Sequence, residues 1–570
     1  MCNTRKLVVS FFPFLLVSLC GCTSMSEYIR NGFKVGPNYA RPPAPLADDW
    51  VKRREALQTA GASTFGLLGT PLSRAPVGAI SQLYPGRLGL DADDWITSVD
   101  QRKDGDDLSQ WWRVFNDPIL DDLICSAYKQ NLTLRQAGAR ILEARALLGI
   151  AVGNFFPQSQ FASASYESIA QSGETAGASV FKQRNFGQWN FGFSLAWEVD
   201  FWGRFRRTIE SASANLDASV EDYDDVLVTL LGDVAANYVQ MRTFEKRIEY
   251  TQENVSIQAE TKKTAEDRRR GDKLGDLNLE QAKALLYQTE AGIPELQIAL
   301  RQTQNQLAVL LGLPPLALQT KLQELEEKHG KRSIPTANPG VALGIPADLL
   351  RRRPDIRRAE RQAAAQSALI GVAQSDFYPR ISLVGNLGYS AQQFKKLFNP
   401  LAFNGTVGPS AQWEVLNYGR ILNNVRLQNA RFQELTYAYQ DRVLVAQQEV
   451  ENGLVTFWNA KQRADSQSES VKAAAEAERI SKDRWKANDV TFTTVSLIQQ
   501  NKVQQDDTLA QAQGEIALGL IQIYRALGGG WQIRLTGCEP AVAPPVQIDP
   551  GLSDDSAPAP RPIARFGPPS

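Results

Sequence analysis

The chain has 570 residues, and its 62 Lys+Arg are matched by 62 Asp+Glu. That balance gives no electrostatic argument for a nucleic-acid partner. Charged residues at 22% and hydrophobic ones at 43% are the proportions of a folded chain rather than a disordered one, and after the first 20 residues no run of 18 or more apolar residues argues for a membrane-crossing helix in the mature chain.

The N-terminus has the layout of a secretion signal, residues 1–21. Arg5 and Lys6 are followed by the apolar stretch LVVSFFPFLLVSL, too short to span a bilayer, and then by Leu19-Cys20-Gly21-Cys22. This resembles the lipobox of bacterial lipoproteins, which implies that Cys22 is the lipidated first residue of the mature chain. Thr23 stands where an Asp would favour inner-membrane retention, so the resemblance also implies outer-membrane sorting. Cys125 and Cys538 are the other cysteines of the mature chain. A periplasmic environment permits them to form a disulfide, and two isolated thiols fit the sequence equally well. Residues 22–110 read as an extended N-terminal segment with an insert rich in Gly, Ala, Pro and Leu.

Beyond this segment the chain is written twice. Trp197-Glu198-Val199 followed by Gly203-Arg204 recurs as Trp413-Glu414-Val415 followed by Gly419-Arg420. Leu311-Gly312 recurs as Leu527-Gly528, and Phe155-Phe156-Pro157 as Phe377-Tyr378-Pro379. The repeats are placed at 111–315 and 345–531, joined by a polar linker at 316–344. A Pro/Ala-rich tail at 532–570 reads as disordered.

Each repeat has the same predicted plan. A helix at about 119–152, or 346–375, is followed by two strands, near 159–168 and 188–201, or 381–390 and 406–416. In the second strand Trp189, Phe191, Phe193, Leu195, Trp197, Val199 and Phe201 alternate with Asn190, Gly192, Ser194, Ala196, Glu198 and Asp200. A period of two means that the two faces meet different media. The strands have the length of tilted membrane strands, although a soluble sheet with one buried face has the same pattern.

A very long helix follows each hairpin. From Leu216 through Leu227, Val234 and Met241 to Val255, mostly apolar residues recur at alternating spacings of four and three, which predicts a coiled-coil seam. The seam returns from Phe432 through Tyr439, Val443, Ala446, Val450, Phe457 and Ala464 to Val471. The helix of about 205–271 would be ~100 Å long. The helices near 119–152 and 276–312, stacked end to end, match it.

Four membrane strands cannot close a barrel, and open edges are not tolerated in lipid. Three chains would give twelve strands around a lumen lined by Asn190, Ser194, Glu198 and Asp200. The fold class expected is therefore mixed α and β. Tandem-repeat coiled-coil helices form a periplasmic helical barrel, and four membrane β-strands per chain form a 12-stranded β-barrel in a homotrimer.

VGPNYARPPAP after the lipobox, WWRVFNDPILDDLI from Trp111, IPADLLRRRPDIRRAE from Ile345 and the two repeated motifs cover most of the chain. In these it resembles the outer membrane factor family, the TolC-like channels, and among them the NodT/OprM-type efflux lipoproteins. The resemblance implies the exit duct of a tripartite pump for drugs or other toxic compounds. A periplasmic adaptor and an inner-membrane transporter would be its partners, and outer membrane lipid its surroundings. Protein or polysaccharide export through the same architecture is the alternative.

The turns at 268–278 and 485–495 are the expected periplasmic tips, where the family closes its gate and docks the adaptor. Gly271 and Asn488 are residue types that tolerate a left-handed helix end. Asp489, Asp272 and Asp276 are the gate carboxylate candidates, and each fits a solvated helix cap equally well. Arg268, Arg269 and Arg270 offer basic partners across subunits or, alternatively, form a solvated helix end favoured by the dipole. The returning stretch TVSLIQQNKV carries no acidic residue where the family commonly has a ring of them.

Other classes fit less well. The one histidine, His329, lies in the linker, no Walker-type motif or Cys/His metal spacing occurs, and no cofactor or metal is implied. An envelope coiled-coil lipoprotein would not need alternating strands in both repeats. A periplasmic adaptor would carry a single helical hairpin.

Overall fold

The computed structural model describes residues 24–44, 108–172, 174, 183–271, 275–331, 333–336 and 352–538. Cys22, Asp272, residues 45–107 with nearly all of the expected N-terminal insert, the start of the second repeat and the tail beyond Cys538 lie outside these residues.

Helix α1 is Met25–Arg30. A 3-10 segment at Leu108–Phe115 leads into α2, Pro118–Gln130, and α3, Leu132–Gly153. Strands β1, Ser159–Ala170, and β2, Asn185–Glu198, precede the 67-residue helix α4, Arg204–Arg270. Helix α5, Asp276–Leu310, returns, and α6, Pro315–His329, ends the first half. The second half repeats the order with α7, Pro354–Ser375, β3, Arg380–Ala391, β4, Phe403–Gln412, α8, Arg420–Lys486, and α9, Phe492–Ala526. A short α10, Ile533–Thr536, follows.

Three expectations are corrected. The first helix is broken at Asn131, whose side chain accepts from Leu134 N–H at 2.8 Å and so starts a new helix, α3. The same side chain donates to the Leu310 carbonyl at 2.9 Å, joining α3 to the end of α5. The linker, expected only as a polar connection, holds α6, for which Pro314 and Pro315 pre-set the backbone. The last residue of α6, His329, is partly buried with Nε2 3.7 Å from Asp122. The tail is ordered as far as Cys538, which forms a disulfide with Cys125 of α2.

The two long helices organise everything else. Helix α4 packs against α3 and α7 near the sheet and against α5 and α9 farther away, while α8 packs against α7 and α9. Two stacked half-length helices thus flank each long one, as the lengths require. The apolar core lies at the level where they meet, around Trp111, Trp112, Ile119, Leu123, Leu227, Leu231, Val234 and Tyr238.

The repeated motifs have repeated jobs. The Trp197 indole donates to the Phe155 carbonyl at 3.2 Å, and the Trp413 indole donates to the Phe377 carbonyl at 3.0 Å. Each bond ties the end of a hairpin to the Pro turn that begins it. Gly312 and Gly528 end α5 and α9 with φ of +67° and +70°, which only glycine adopts without cost.

The four strands form one antiparallel sheet in the order β1-β2-β3-β4. Its register sets Asn190 beside Ser165 and Ser390, and Ser194 beside Asn386. It sets Phe191 beside Ala164 and Tyr389, and Leu383 beside Trp197 and Pro409. Paired residues share a face, so one face is mostly polar and the other mostly aromatic and aliphatic, with Phe161 beside Ser194 on the polar face and Gln160 beside Leu195 on the other.

Candidate functional site: the polar sheet face and the helix tips

The polar face carries a chain of side-chain hydrogen bonds across all four strands. Asn190 Nδ2 donates to Ser165 Oγ at 3.4 Å, Ser390 Oγ donates to Asn190 Oδ1 at 2.9 Å, and Asn404 Nδ2 donates to Ser390 Oγ at 2.8 Å. Ser194 and Glu198 lie on this face, with Glu198 at its lower rim, 3.8 Å from Arg204. Asp200 does not. It lies past the end of β2, its side chain is 3% exposed, and its carboxylate accepts from the Phe205 and Arg206 N–H groups at 3.0 Å. Asp200 is therefore the cap that starts α4, and the period of two ends before it reaches this residue.

The opposite face stays largely exposed among the described residues, with only part of it met by the loop between β3 and β4. Phe191, Phe193, Leu387 and Val407 are 42–66% exposed. A soluble single chain would bury these side chains, and the described residues of this one leave them exposed. Among the described residues, β1 and β4 each have one unpaired edge. No helix among the described residues is long and apolar enough to cross a membrane.

The rod between the sheet and the tips has two kinds of seam. Near the sheet it is apolar, with Leu227, Leu230, Val234 and Met241 buried as the heptads require, along with Tyr439, Val443, Ala446 and Val450. Nearer the tips the buried row of α4 is Thr251, Asn254, Gln258, Thr261 and Ala265. Lys502 donates to Asn254 Oδ1 at 3.0 Å and to Asp506 at 2.9 Å, and Gln499 donates to Thr261 Oγ1 at 2.9 Å. A search for apolar heptads passes over this ladder. Gln499, Lys502 and Asp506, at spacings of three and four on α9, were its signal.

At the tip, α4 and α8 end together. Arg268 Nη1 donates to the Trp485 carbonyl at 2.5 Å, its Nη2 donates to Asn488 Oδ1, and its guanidinium lies 5.0 Å from the Trp485 ring centroid. Trp485, Phe492, Val495, Leu279 and Ala265 form a small apolar plug behind it. Asn488 takes the left-handed conformation, with φ +64°, whereas Gly271 does not, with φ −88°. Arg269 pairs with Asp276, and Arg270 lies 3.7 Å from Asp267. Asp489 is exposed, and its N–H closes the turn onto the Arg484 carbonyl at 2.9 Å. Arg268 thus joins the two repeats within one chain, where the sequence suggested a partner across subunits.

Residues 353–358 build a charged cluster between the start of α7 and the first third of α4. Arg353 grips Asp355 through two bonds of 2.8–2.9 Å and donates to the Ala526 carbonyl at the end of α9. Burial would raise the Asp355 carboxyl, but those bonds outweigh it and hold the group below its ordinary range. Arg357 lies 2.6 Å from Glu221 Oε1. Glu221 Oε2 has no hydrogen-bond partner among the described residues, and burial pushes this carboxyl up to about 7 despite Arg357.

A family model described as outer membrane efflux protein matches residues 123–313 and 345–529, one match for each repeat. The chain belongs to the outer membrane efflux protein family. The pyoverdine export outer membrane protein OpmQ of Pseudomonas putida is 31% identical over 425 residues, 74% of this chain and 88% of OpmQ. Nodulation protein T of Rhizobium leguminosarum bv. viciae is 28% identical over 424 residues, 74% of this chain and 85% of its own length. The solved outer-membrane channel OprN superposes with a TM-score of 0.70 at 30% identity, covering 81% of this chain and 99% of OprN. The efflux family accounts for the polar and apolar faces together. This chain is an outer membrane efflux component with a large periplasmic helical part.

Proposed function

We propose that three copies close into a passive exit duct. β1 of one copy pairs with β4 of the next, giving twelve strands, and the helices continue the lumen as a periplasmic tube. The observation that carries this reading is the sheet itself. It has one polar face bridged by Asn190, one exposed aromatic face and two unpaired edges. Lipid outside and water inside satisfy the two faces, and barrel closure satisfies the edges. Cys22 carries the acyl anchor. The tips, from Arg268 to Asp276 and from Trp485 to Asp489, form the gate and meet a periplasmic adaptor fed by an inner-membrane transporter. The cargo is small molecules, as the pyoverdine export named for OpmQ suggests.

Planar-bilayer recording tests the duct directly. The purified protein should conduct ions only weakly, and loosening of the Arg268 contact should raise the conductance. A protein that conducts nothing under either condition contradicts the duct.

A further inference from the structure

The loop between β3 and β4 does not arch over the end of the sheet. It folds back down the apolar face. Phe394 packs edge-on against Trp189 with ring centroids 5.1 Å apart. Phe398 sits 5.7 Å from both Phe191 and Tyr389, a directly paired couple deeper in the sheet. Leu397 is buried beneath the loop, and Asn399 accepts from the Leu401 N–H at 3.0 Å to hold the second turn. The outward side remains apolar, with Phe394 59%, Phe398 62% and Leu401 95% exposed. Lys395 and Lys396 stand between the two phenylalanines, both exposed, and neither ammonium meets a carboxylate among the described residues.

We propose that this loop is a lipid-binding flap, and that Lys395 and Lys396 take the phosphate of an anionic lipid in the outer leaflet. The inference rests on the reading that the apolar face meets lipid. A neighbouring copy cannot be the occupant. The flap covers the central strands β2 and β3, whereas copies join at the edges β1 and β4. Aromatic rings at the hydrocarbon boundary with cationic side chains reaching upward from it are the arrangement that an anionic interface favours.

The test uses the full chain reconstituted into vesicles, with an environment-sensitive fluorophore on an introduced cysteine. Cys125 and Cys538 are joined, so labelling of the unsubstituted chain sets the background. Phe398→Cys reports the flap, and Val407→Cys, halfway along the apolar face, reports the membrane reading. Lipids with a nitroxide high on the acyl chain should quench both. Quenching at Val407→Cys alone overturns the flap, and quenching at neither overturns the membrane reading beneath it. At equal content, nitroxide-labelled phosphatidylglycerol should quench the Phe398→Cys label about twofold more than the phosphatidylcholine analogue does. Lys395→Gln with Lys396→Gln should erase that preference while leaving quenching at Val407→Cys unchanged. Equal quenching by the two lipids in the chain with both lysines overturns the anionic-lipid assignment.

Discussion

Arg268 and Trp485 lock the two repeats together at the tip. One guanidinium both donates to the Trp485 backbone, at 2.5 Å, and lies 5.0 Å from its ring centroid. It also reaches Asn488, whose left-handed backbone turns the chain toward α9. A single side chain therefore holds two helix ends that are 217 residues apart in sequence.

Replacing it should loosen the tip. Arg268→Ala removes two charge-assisted hydrogen bonds and a cation–π contact at a partly exposed site, together worth about 2–4 kcal/mol. Where that contact favours the closed state, the open population should rise at least about tenfold. Single-channel recording should show higher conductance for the variant. Unchanged conductance would mean that the contact is structural only.

Leu227 is fully buried in the core at the level where the half-length helices meet. Leu227→Asp would place an unpaired carboxylate there at a cost of several kcal/mol. The variant should not yield a folded, detergent-stable assembly, as judged by heat-modifiable migration. Assembly equal to that of the unsubstituted chain would contradict the seam.

Glu221 gives a pH signature. Its folded-state carboxyl is pushed up to about 7 by burial, against an ordinary value of 4.5. The folded chain thus binds this proton more tightly than the unfolded one. The penalty for ionising it is full above pH 7 and vanishes as pH falls below 4.5. Glu221→Gln should stabilise the protein at pH 8 by about 1–3 kcal/mol and have little effect near pH 4. Melting curves at the two pH values check this. A variant less stable at pH 8 would mean that the bond to Arg357 outweighs burial.

The Cys125–Cys538 bond ties α2 to the end of the second repeat, across 413 residues of chain. Cys125→Ser should lose about 2–4 kcal/mol of stability, and reductant should destabilise the unsubstituted chain to a similar degree. Thermal melts with and without reductant, read beside a thiol titration, decide it. No effect of reductant despite two freed thiols would show that packing alone holds this junction.

The sequence made the architecture legible where one physical period ran unbroken. Alternation marked Phe191 against Asn190, and the heptads marked Leu227, Val234 and Val443, all of which fall where those periods put them. It was less informative where a local cap intervened. Asp200 continues the strand alternation but belongs to the helix, because free N–H groups at the start of α4 claim its carboxylate. Asn131 likewise breaks an apolar stretch that reads as one helix. The polar ladder from Asn254 to Lys502 was hidden for a third reason. It pairs residues from different repeats, so the spacing of Gln499, Lys502 and Asp506 marks a polar row on α9 without showing what α4 brings to it.

The central claim is that one chain supplies a third of a closed duct. Light scattering of the detergent-extracted mature protein, with the detergent mass subtracted, tests it most directly. The account predicts a mass of three chains that requires detergent to remain in solution. A monomer that stays soluble without detergent would mean that the aromatic face of the sheet is covered by protein, and would contradict the duct.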